Sequence, residues 1–128
     1  MINVTIQILN KKPSIMYDAV VAGGSISGLL AAREIAKKGY SVLVLEEGFE
    51  VGSPEHCGGL VSKTALKELE IDPSQKTFDS EIECAKICSP EGKEITINSK
   101  RQQIIVINRR ELDKQAARQA RDNGAEIS

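Results

Sequence analysis

The hydrophobic pattern between residues 17 and 47 predicts a strand, a helix and a second strand. Apolar runs at 18–22 and 41–45 flank a glycine-rich turn and a helical segment, and the second run is apolar on both faces, as a strand inside a parallel sheet is. The helix is expected to end at Lys37-Lys38-Gly39, because cations suit the negative end of the helix dipole and glycine permits a left-handed turn. Between the runs, apolar residues recur at the helical spacing of about 3.6 residues, at Ile26, Leu29, Leu30, Ile35 and Ala36. The pattern is typical of the β-α-β unit of a dinucleotide-binding fold.

Glycine and proline divide the rest of the chain into shorter predicted elements. Two strand-like runs, 81–88 and 94–98, flank the turn sequence Ser89-Pro90-Glu91-Gly92 and are predicted to form a hairpin. The other predicted elements are a helix at 62–69 capped by Ser62, a buried strand at 103–107, a helix at 110–122 ended by Asn123-Gly124, and a strand at 125–127. The predicted fold class is therefore α/β: a Rossmann-like domain with a parallel sheet, one β-α-β unit and a β-hairpin insertion.

Composition narrows the class of protein. Seventeen Lys and Arg balance eighteen Asp and Glu, aromatic residues make up 3% of the chain and Trp is absent, so we expect no nucleic-acid partner. No apolar run approaches the roughly 18 residues of a membrane span, and the first residues lack the order of a signal peptide. An odd number of cysteines, three, argues against a disulfide framework. A cytoplasmic location is expected.

The candidate chemistry begins at the loop Gly23-Gly24-Ser25-Ile26-Ser27-Gly28, which follows the first predicted strand. It has the form G-x-S-x-x-G, where the dinucleotide fingerprint is G-x-G-x-x-G. Gly23 permits the tight turn from strand to helix, and Gly28 lets the helix pack close to the strand. Gly24 and Ser25 lie where free amides at the helix start would hold a pyrophosphate, and Ser25 stands in place of the second glycine.

An acidic pair at the end of the second strand supports this interpretation. Glu46 follows Gly28 by eighteen positions, where a carboxylate accepts hydrogen bonds from the ribose hydroxyls of an adenosine. Glu47 comes next and no cation is close by, so a 2′-phosphate would be repelled and NADP is disfavoured, leaving FAD or NAD. The alternative is a β-α-β unit with an ordinary glycine turn and two solvated glutamates.

Longer stretches resemble the geranylgeranyl reductase family of FAD flavoproteins, which includes archaeal digeranylgeranylglycerophospholipid reductases. The stretches that carry the resemblance are YDAVVAGGSISGLLAAREIAKKG, VLVLEE, VGSPEHCGGLVS, the SPEG hairpin and INRRELDKQAARQARDNGAEI. They cover nearly all of residues 17–128. The Cys-Gly loop and the start of the last helix are more specific to this family than the glycine loop is. The resemblance implies that the FAD contacts are Ser27, Glu46, Cys57, Gly58, Leu60 and Arg109.

The resemblance also implies an activity. Members reduce isoprenoid double bonds in archaeal-type membrane lipids, so an isoprenoid lipid is the expected substrate and FAD the expected cofactor. An external electron donor, ferredoxin or a reduced nicotinamide, would supply the electrons. Peripheral contact with the membrane would be made through a later part of such a protein.

Several alternatives stay open at this point. Ser25 also resembles flavin-dependent aromatic monooxygenases, and a non-catalytic nucleotide-binding fragment is a third reading. Cys84 and Cys88 are expected to be buried on one face of a strand, although a less favoured Cys3His zinc site would join them to His56 and Cys57.

Arg109 and Arg110 open a helix, where a cation is unfavourable, so a nearby anion is expected. The residues expected on a solvated helix face are Arg33, Lys37 and Lys38.

The predicted boundaries divide the chain at residue 16. Residues 1–15 alternate apolar and polar positions up to Lys11-Lys12-Pro13 and are expected to be a disordered N-terminal extension, with a short strand as the alternative. Residues 16–128 are expected to be the N-terminal part of an FAD-binding domain, because a strand begins at 125–127 and the second flavin motif and substrate domain of the family would follow it. We expect this part alone to be inactive.

Overall fold

The computed structural model describes residues 16–55, 57–98 and 103–128. The predicted extension, residues 1–15, lies outside the described residues. The elements in chain order are β1 (Ala19–Ala22), α1 (Ile26–Lys37), β2 (Val42–Leu45), β3 (Leu60–Ser62), α2 (Lys63–Glu68), β4 (Phe78–Glu81), β5 (Cys84–Cys88), β6 (Glu94–Asn98), β7 (Ile104–Ile107), α3 (Arg109–Asp122) and β8 (Glu126–Ile127).

The first layer is a parallel sheet in the order β1-β2-β8, which confirms the predicted β-α-β unit. Ala19 pairs with Val42 and Leu43 pairs with Glu126, so β2 lies between the other two strands. Helices α1 and α3 pack on one face, where small side chains allow close approach. The buried residues of this core are Leu29, Ala32, Ala36, Val42, Val44, Ala116, Ala117, Ala120 and Ala125. On the opposite face Leu45 is exposed, so β2 is not buried on both faces within the described ranges.

The second layer is an antiparallel sheet in the order β3-β7-β4. Strand β7 is its centre, and Ile105 and Ile107 pack there against Leu66, Ile71 and Leu112. Helix α3 follows β7 directly and contributes to both cores, so the two layers share one helix. Asn108 caps α3 by accepting a hydrogen bond from the Glu111 amide at 3.0 Å. Ser62 occupies the N-cap of α2, but its side chain does not make the predicted capping bond.

The hairpin differs from its prediction in two respects. The strand predicted at 81–88 begins only at Cys84, because Glu81 is the last residue of β4, which pairs with β7, and β5 pairs with β6 from Cys84. Strands β5 and β6 form a separate two-stranded sheet. Both Cys84 and Cys88 are exposed, so the prediction that they are buried is wrong. Alternation places them on one face, but no described element packs on that face.

Arg33 on α1 is also placed differently from its prediction. Lys37 and Lys38 are exposed as expected, whereas Arg33 is only 4% exposed. Its guanidinium donates to Glu34, to Gln119 of α3 and to the Leu69 carbonyl after α2, each at 2.8 Å. Arg33 is therefore buried because three segments supply acceptors for it, and it ties α1 to α3 and to the end of α2.

Candidate functional site

The glycine loop joins β1 to α1 in the conformation that its sequence predicts. Gly23 has a φ of 98°, in the left-handed region that disfavours residues with a Cβ. A Cβ on Gly28 would lie 2.1 Å from the Gly23 carbonyl oxygen, so only glycine allows α1 to start this close to the turn. The two glycines therefore set the conformation of the loop. They place the first amides of α1 at the carboxyl edge of the parallel sheet.

Glu46 closes this loop from the end of β2. Its Oε2 accepts a hydrogen bond from the Gly24 amide at 2.5 Å, and its Oε1 accepts one from the Gly48 amide at 3.0 Å. A Cβ on Gly24 would lie 2.9 Å from Oε2, so glycine is needed for this approach. A carboxylate has about four acceptor positions, and two are used here. Glu46 thus keeps capacity to accept from the hydroxyls of a ribose.

A cleft of about 340 Å³ opens between the glycine loop, the loop after β2 and the start of α3. Six of the sequence-predicted residues line it: Gly24, Ser25, Glu46, Glu47, Cys57 and Arg109. Five further residues line it that the sequence does not mark as site residues: Gly52, Ser53, Pro54, Glu55 and Asp113. The structure thus brings the three predicted groups, the glycine loop, the acidic pair and the Cys-Gly loop, to one place together with Arg109.

Five predicted residues do not line this cleft. Gly23 and Gly28 act on the loop geometry described above. Ser27 lies exposed on the first turn of α1, Gly58 is exposed, and Leu60 is 60% exposed at the start of β3. Their predicted contacts with FAD stay predictions.

Arg109 has its anionic partner inside the chain. Its Nε lies 3.2 Å from Oδ1 of Asp113, one turn later on α3. Arg110 pairs with Glu50 of the loop after β2. The expectation that both arginines have a nearby anion is met by these two carboxylates, and Arg109 is the one whose side chain reaches the cleft.

Asp113 lies deep in the site and is only 6% exposed. Burial raises the pKa of its carboxyl above the ordinary value of 3.8, while Arg109 and a hydrogen bond from the Ile26 backbone act in the opposite direction. The negative charge of Glu46 raises the pKa further. Ile26 is the first residue of α1, so the Asp113 carboxylate also faces the positive end of that helix.

A second cleft, of about 460 Å³, lies on the other side of Glu46. The loop after β2 forms one wall with Phe49 and Val51, and β8 forms another with Ile127. Glu50 anchors this loop to α3, since its Oε1 lies 2.6 Å from Nζ of Lys114. Lys114, Arg118 and Arg121 also line it. Glu46 therefore separates a cleft with the glycine loop and Arg109 from one with both apolar and cationic walls.

A larger cleft lies elsewhere. It has a volume of about 690 Å³ and lies beside α2 and β4, lined by residues that include Lys63, Ile71 and Phe78. None of the sequence-predicted site residues lines it. We therefore do not assign it as the functional site, because the predicted site residues line the smaller cleft.

The alternative zinc site is not assembled in the part of the chain that the structure describes. His56 lies outside that part, and the three cysteines are exposed and unpaired, two on the hairpin and Cys57 at the cleft. No group of three or more His, Cys, Asp or Glu side chains in the described ranges could hold a metal ion. Within the same ranges, none of the helices has the length and apolarity to cross a membrane.

Comparison with known proteins gives a consistent picture. Residues 18–128 match the family model described as FAD dependent oxidoreductase. A digeranylgeranylglycerophospholipid reductase from Methanocella arvoryzae is 34% identical over 114 residues, covering 87% of this chain and 29% of that protein. A geranylgeranyl bacteriochlorophyll reductase-like protein from Thermoplasma acidophilum aligns with a TM-score of 0.80 at 35% identity, covering 87% of this chain and 29% of that one. A flavin-dependent brominase aligns with a TM-score of 0.68 at 25% identity, covering 88% and 29%.

The chain spans about 29% of the length of these relatives. The matched residues 18–128 contain every element that builds the cleft, from the glycine loop through Glu46 to Arg109 and Asp113. The family description names FAD, which is one of the two cofactors that the glycine loop and Glu46 leave open and the one that the family resemblance implies. The chain belongs to the FAD dependent oxidoreductase family.

Proposed function

We propose that the protein is an FAD-dependent reductase that saturates isoprenoid double bonds in archaeal-type membrane lipids. The assignment of FAD as the cofactor rests on one observation: Gly24, Glu46 and Arg109 line the same cleft. The substrate side is supported by relatives that are named digeranylgeranylglycerophospholipid reductase and are about a third identical to this chain. The electron donor is an external one, ferredoxin or a reduced nicotinamide, and the location is cytoplasmic with peripheral membrane contact.

The residues of the two clefts fit the parts of FAD. Glu46 would accept from the ribose hydroxyls with the acceptor positions that its two backbone bonds leave. The amides at the start of α1 and the Arg109 guanidinium would hold the pyrophosphate, because both present positive charge to the same cleft. The apolar side chains of the second cleft, Phe49, Val51 and Ile127, would suit the adenine, and Cys57, which lines the first cleft, would lie beside the flavin.

When bound, reduced FAD would supply a hydride to one alkene carbon, and an acid would supply the proton to the other. The described residues of this chain contribute binding and orientation. Glu46, anchored by two backbone amides, fixes the adenosine end, and Arg109 neutralises the pyrophosphate. The acidic pair Glu46 and Glu47, without a neighbouring cation, disfavours a 2′-phosphate, so the site selects FAD over NADP.

The activity is tested with full-length protein that has been reduced anaerobically and incubated with a geranylgeranylated glycerophospholipid. We expect reoxidation of the flavin by the lipid, and mass spectrometry should show one added hydrogen pair for each double bond reduced. Flavin that stays reduced with the lipid, but reacts with oxygen and hydroxylates an aromatic compound, would contradict the reductase assignment and favour a monooxygenase.

A further inference from the structure

Asp113 is a charged residue on the apolar face of α3. Its neighbours on that face, Leu112, Ala116, Ala117 and Ala120, are buried core residues. Burying a carboxylate among them costs free energy unless it gains partners. The structure gives it two partners: Arg109, which lines the cleft, and the backbone of Ile26, which begins α1 directly after the lining residue Ser25.

The contact with Arg109 constrains how that side chain meets the cleft. Asp113 engages Nε of the guanidinium, at 3.2 Å, and within the described ranges this is its only ion pair. The two Nη groups, which form the outer end of the side chain, are therefore left for a ligand. Arg109 is the first residue of α3, where the helix dipole repels a cation, so a fixed anion is needed to hold it there.

The contact with Ile26 fixes the start of α1. Ser25 is the N-cap residue of this helix, but its side chain makes no capping hydrogen bond, and the first turn contains no acidic residue. The anion at the positive end of α1 comes instead from α3, as Asp113. One carboxylate thus contacts both groups that present positive charge to the cleft, the amide end of α1 and Arg109.

We propose that Asp113 is a positioning residue for the FAD site: it sets the distance between the start of α1 and the Arg109 guanidinium, so that both meet the same pyrophosphate. This inference rests on the proposed binding of FAD. Asp113 acts through Arg109 and does not itself contact the cofactor. A purely structural role, in which Asp113 only joins α1 to α3, makes a different prediction.

A double-mutant cycle on FAD affinity separates the two roles. Dissociation constants are measured for the full-length wild type, D113A, R109A and the double variant, each as apoprotein titrated with FAD. Because positioning operates through Arg109, D113A should weaken FAD binding on the order of ten-fold in the wild-type background. In the R109A background the same change should alter the affinity by less than about two-fold.

Two further variants complete the experiment. D113N keeps the size of the side chain and removes its charge, so it should show a smaller loss of the same kind if D113A does not fold. Glu111→Ala is the matched control, because Glu111 lies on the same turn of α3, pairs with Lys114 at 3.7 Å and does not line the cleft. Its FAD affinity should equal that of the wild type.

Equal losses of affinity in the two backgrounds, with a lower melting temperature of the apoprotein, would overturn the positioning role in favour of a structural one. Unchanged or tighter FAD binding by both D113A and D113N would overturn it as well. A wild-type protein that binds no FAD would overturn the cofactor assignment together with this inference, which distinguishes that failure from the other two.

Discussion

At the scale of single residues, Glu46 makes the most specific contribution to the site. It is the only described side chain that accepts from amides on both the glycine loop and the loop after β2. Its orientation is therefore fixed before any ligand arrives. A carboxylate held in this way loses little side-chain entropy on binding a ribose.

Replacing Glu46 with Ala should weaken FAD binding. A lost hydrogen bond to a charged group costs about 1.5 to 3 kcal/mol, which is roughly a ten- to a hundred-fold change in affinity. Fluorescence titration of the full-length apoprotein measures it, with Glu91→Ala in the hairpin turn as a control that should not change. Wild-type affinity in the Glu46 variant would remove this residue from the site.

The raised pKa of Asp113 predicts a pH dependence of stability. Between the ordinary value of 3.8 and the raised value in the folded protein, the native state binds more protons than the unfolded state. Stability contributed by the protonated carboxyl is therefore lost as the pH rises through that window. The D113N variant has no such group, so the unfolding free energy of D113N minus that of the wild type should increase as the pH rises above about 4.

Urea unfolding of the wild type and D113N at several pH values between about 3.5 and 7 measures this difference. The curve should rise through the window and then become flat above the folded pKa of Asp113. A difference that falls with rising pH would mean that the ion pair with Arg109 outweighs burial and that the pKa of Asp113 is lowered.

At the scale of elements, Arg33 shows how three segments are held together. Its removal leaves acceptors on Gln119 and Leu69 without their partner in a partly buried position. Arg33→Ala should therefore reduce the free energy of unfolding by about 2 to 4 kcal/mol. The exposed Lys38 on the same helix end serves as the control, since Lys38→Ala should change it by less than about 0.5 kcal/mol.

Denaturant unfolding measures the free energy of unfolding of Arg33→Ala and of Lys38→Ala. The two values can be compared directly when the m-values are equal. A loss of stability in Arg33→Ala no larger than in Lys38→Ala would contradict the buried network, and would place Arg33 on the solvated face that the sequence alone predicts.

The elements differ in how far their sequence predicts them. The β-α-β unit follows from periodicity and from Gly23 and Gly28, because the turn needs a left-handed residue and a close contact whatever surrounds it. The environment of Arg33 and of the two hairpin cysteines depends on whether another segment packs there. Periodicity assigns a residue to a face, and the tertiary contacts decide whether that face is buried.

The sequence contains a signal that Asp113 has a partner inside the protein. It lies four residues after Arg109, the spacing of an ion pair on a helix, and it interrupts an otherwise apolar stripe of α3. A charge in such a stripe requires a partner from within the protein. What the sequence did not contain was the second partner, the start of α1, because that contact depends on how α1 and α3 pack.

At the scale of the whole molecule, one helix connects the two layers to the site. Helix α3 packs on the parallel sheet through Ala116 and Ala120 and on the antiparallel sheet through Leu112. Its first turn carries Arg109 into the cleft beside the glycine loop. The position of the proposed cofactor site is therefore set by the packing of both layers, and residues of both cores influence it.

We propose that this chain holds FAD through the cleft between α1, Glu46 and α3. The most direct test is to purify the full-length protein, record its absorbance spectrum, and titrate the apoprotein with FAD and, separately, with NADP. We predict a yellow preparation that releases FAD on denaturation and an apoprotein that binds FAD in preference to NADP. A colourless preparation whose apoprotein does not bind added FAD would contradict the claim.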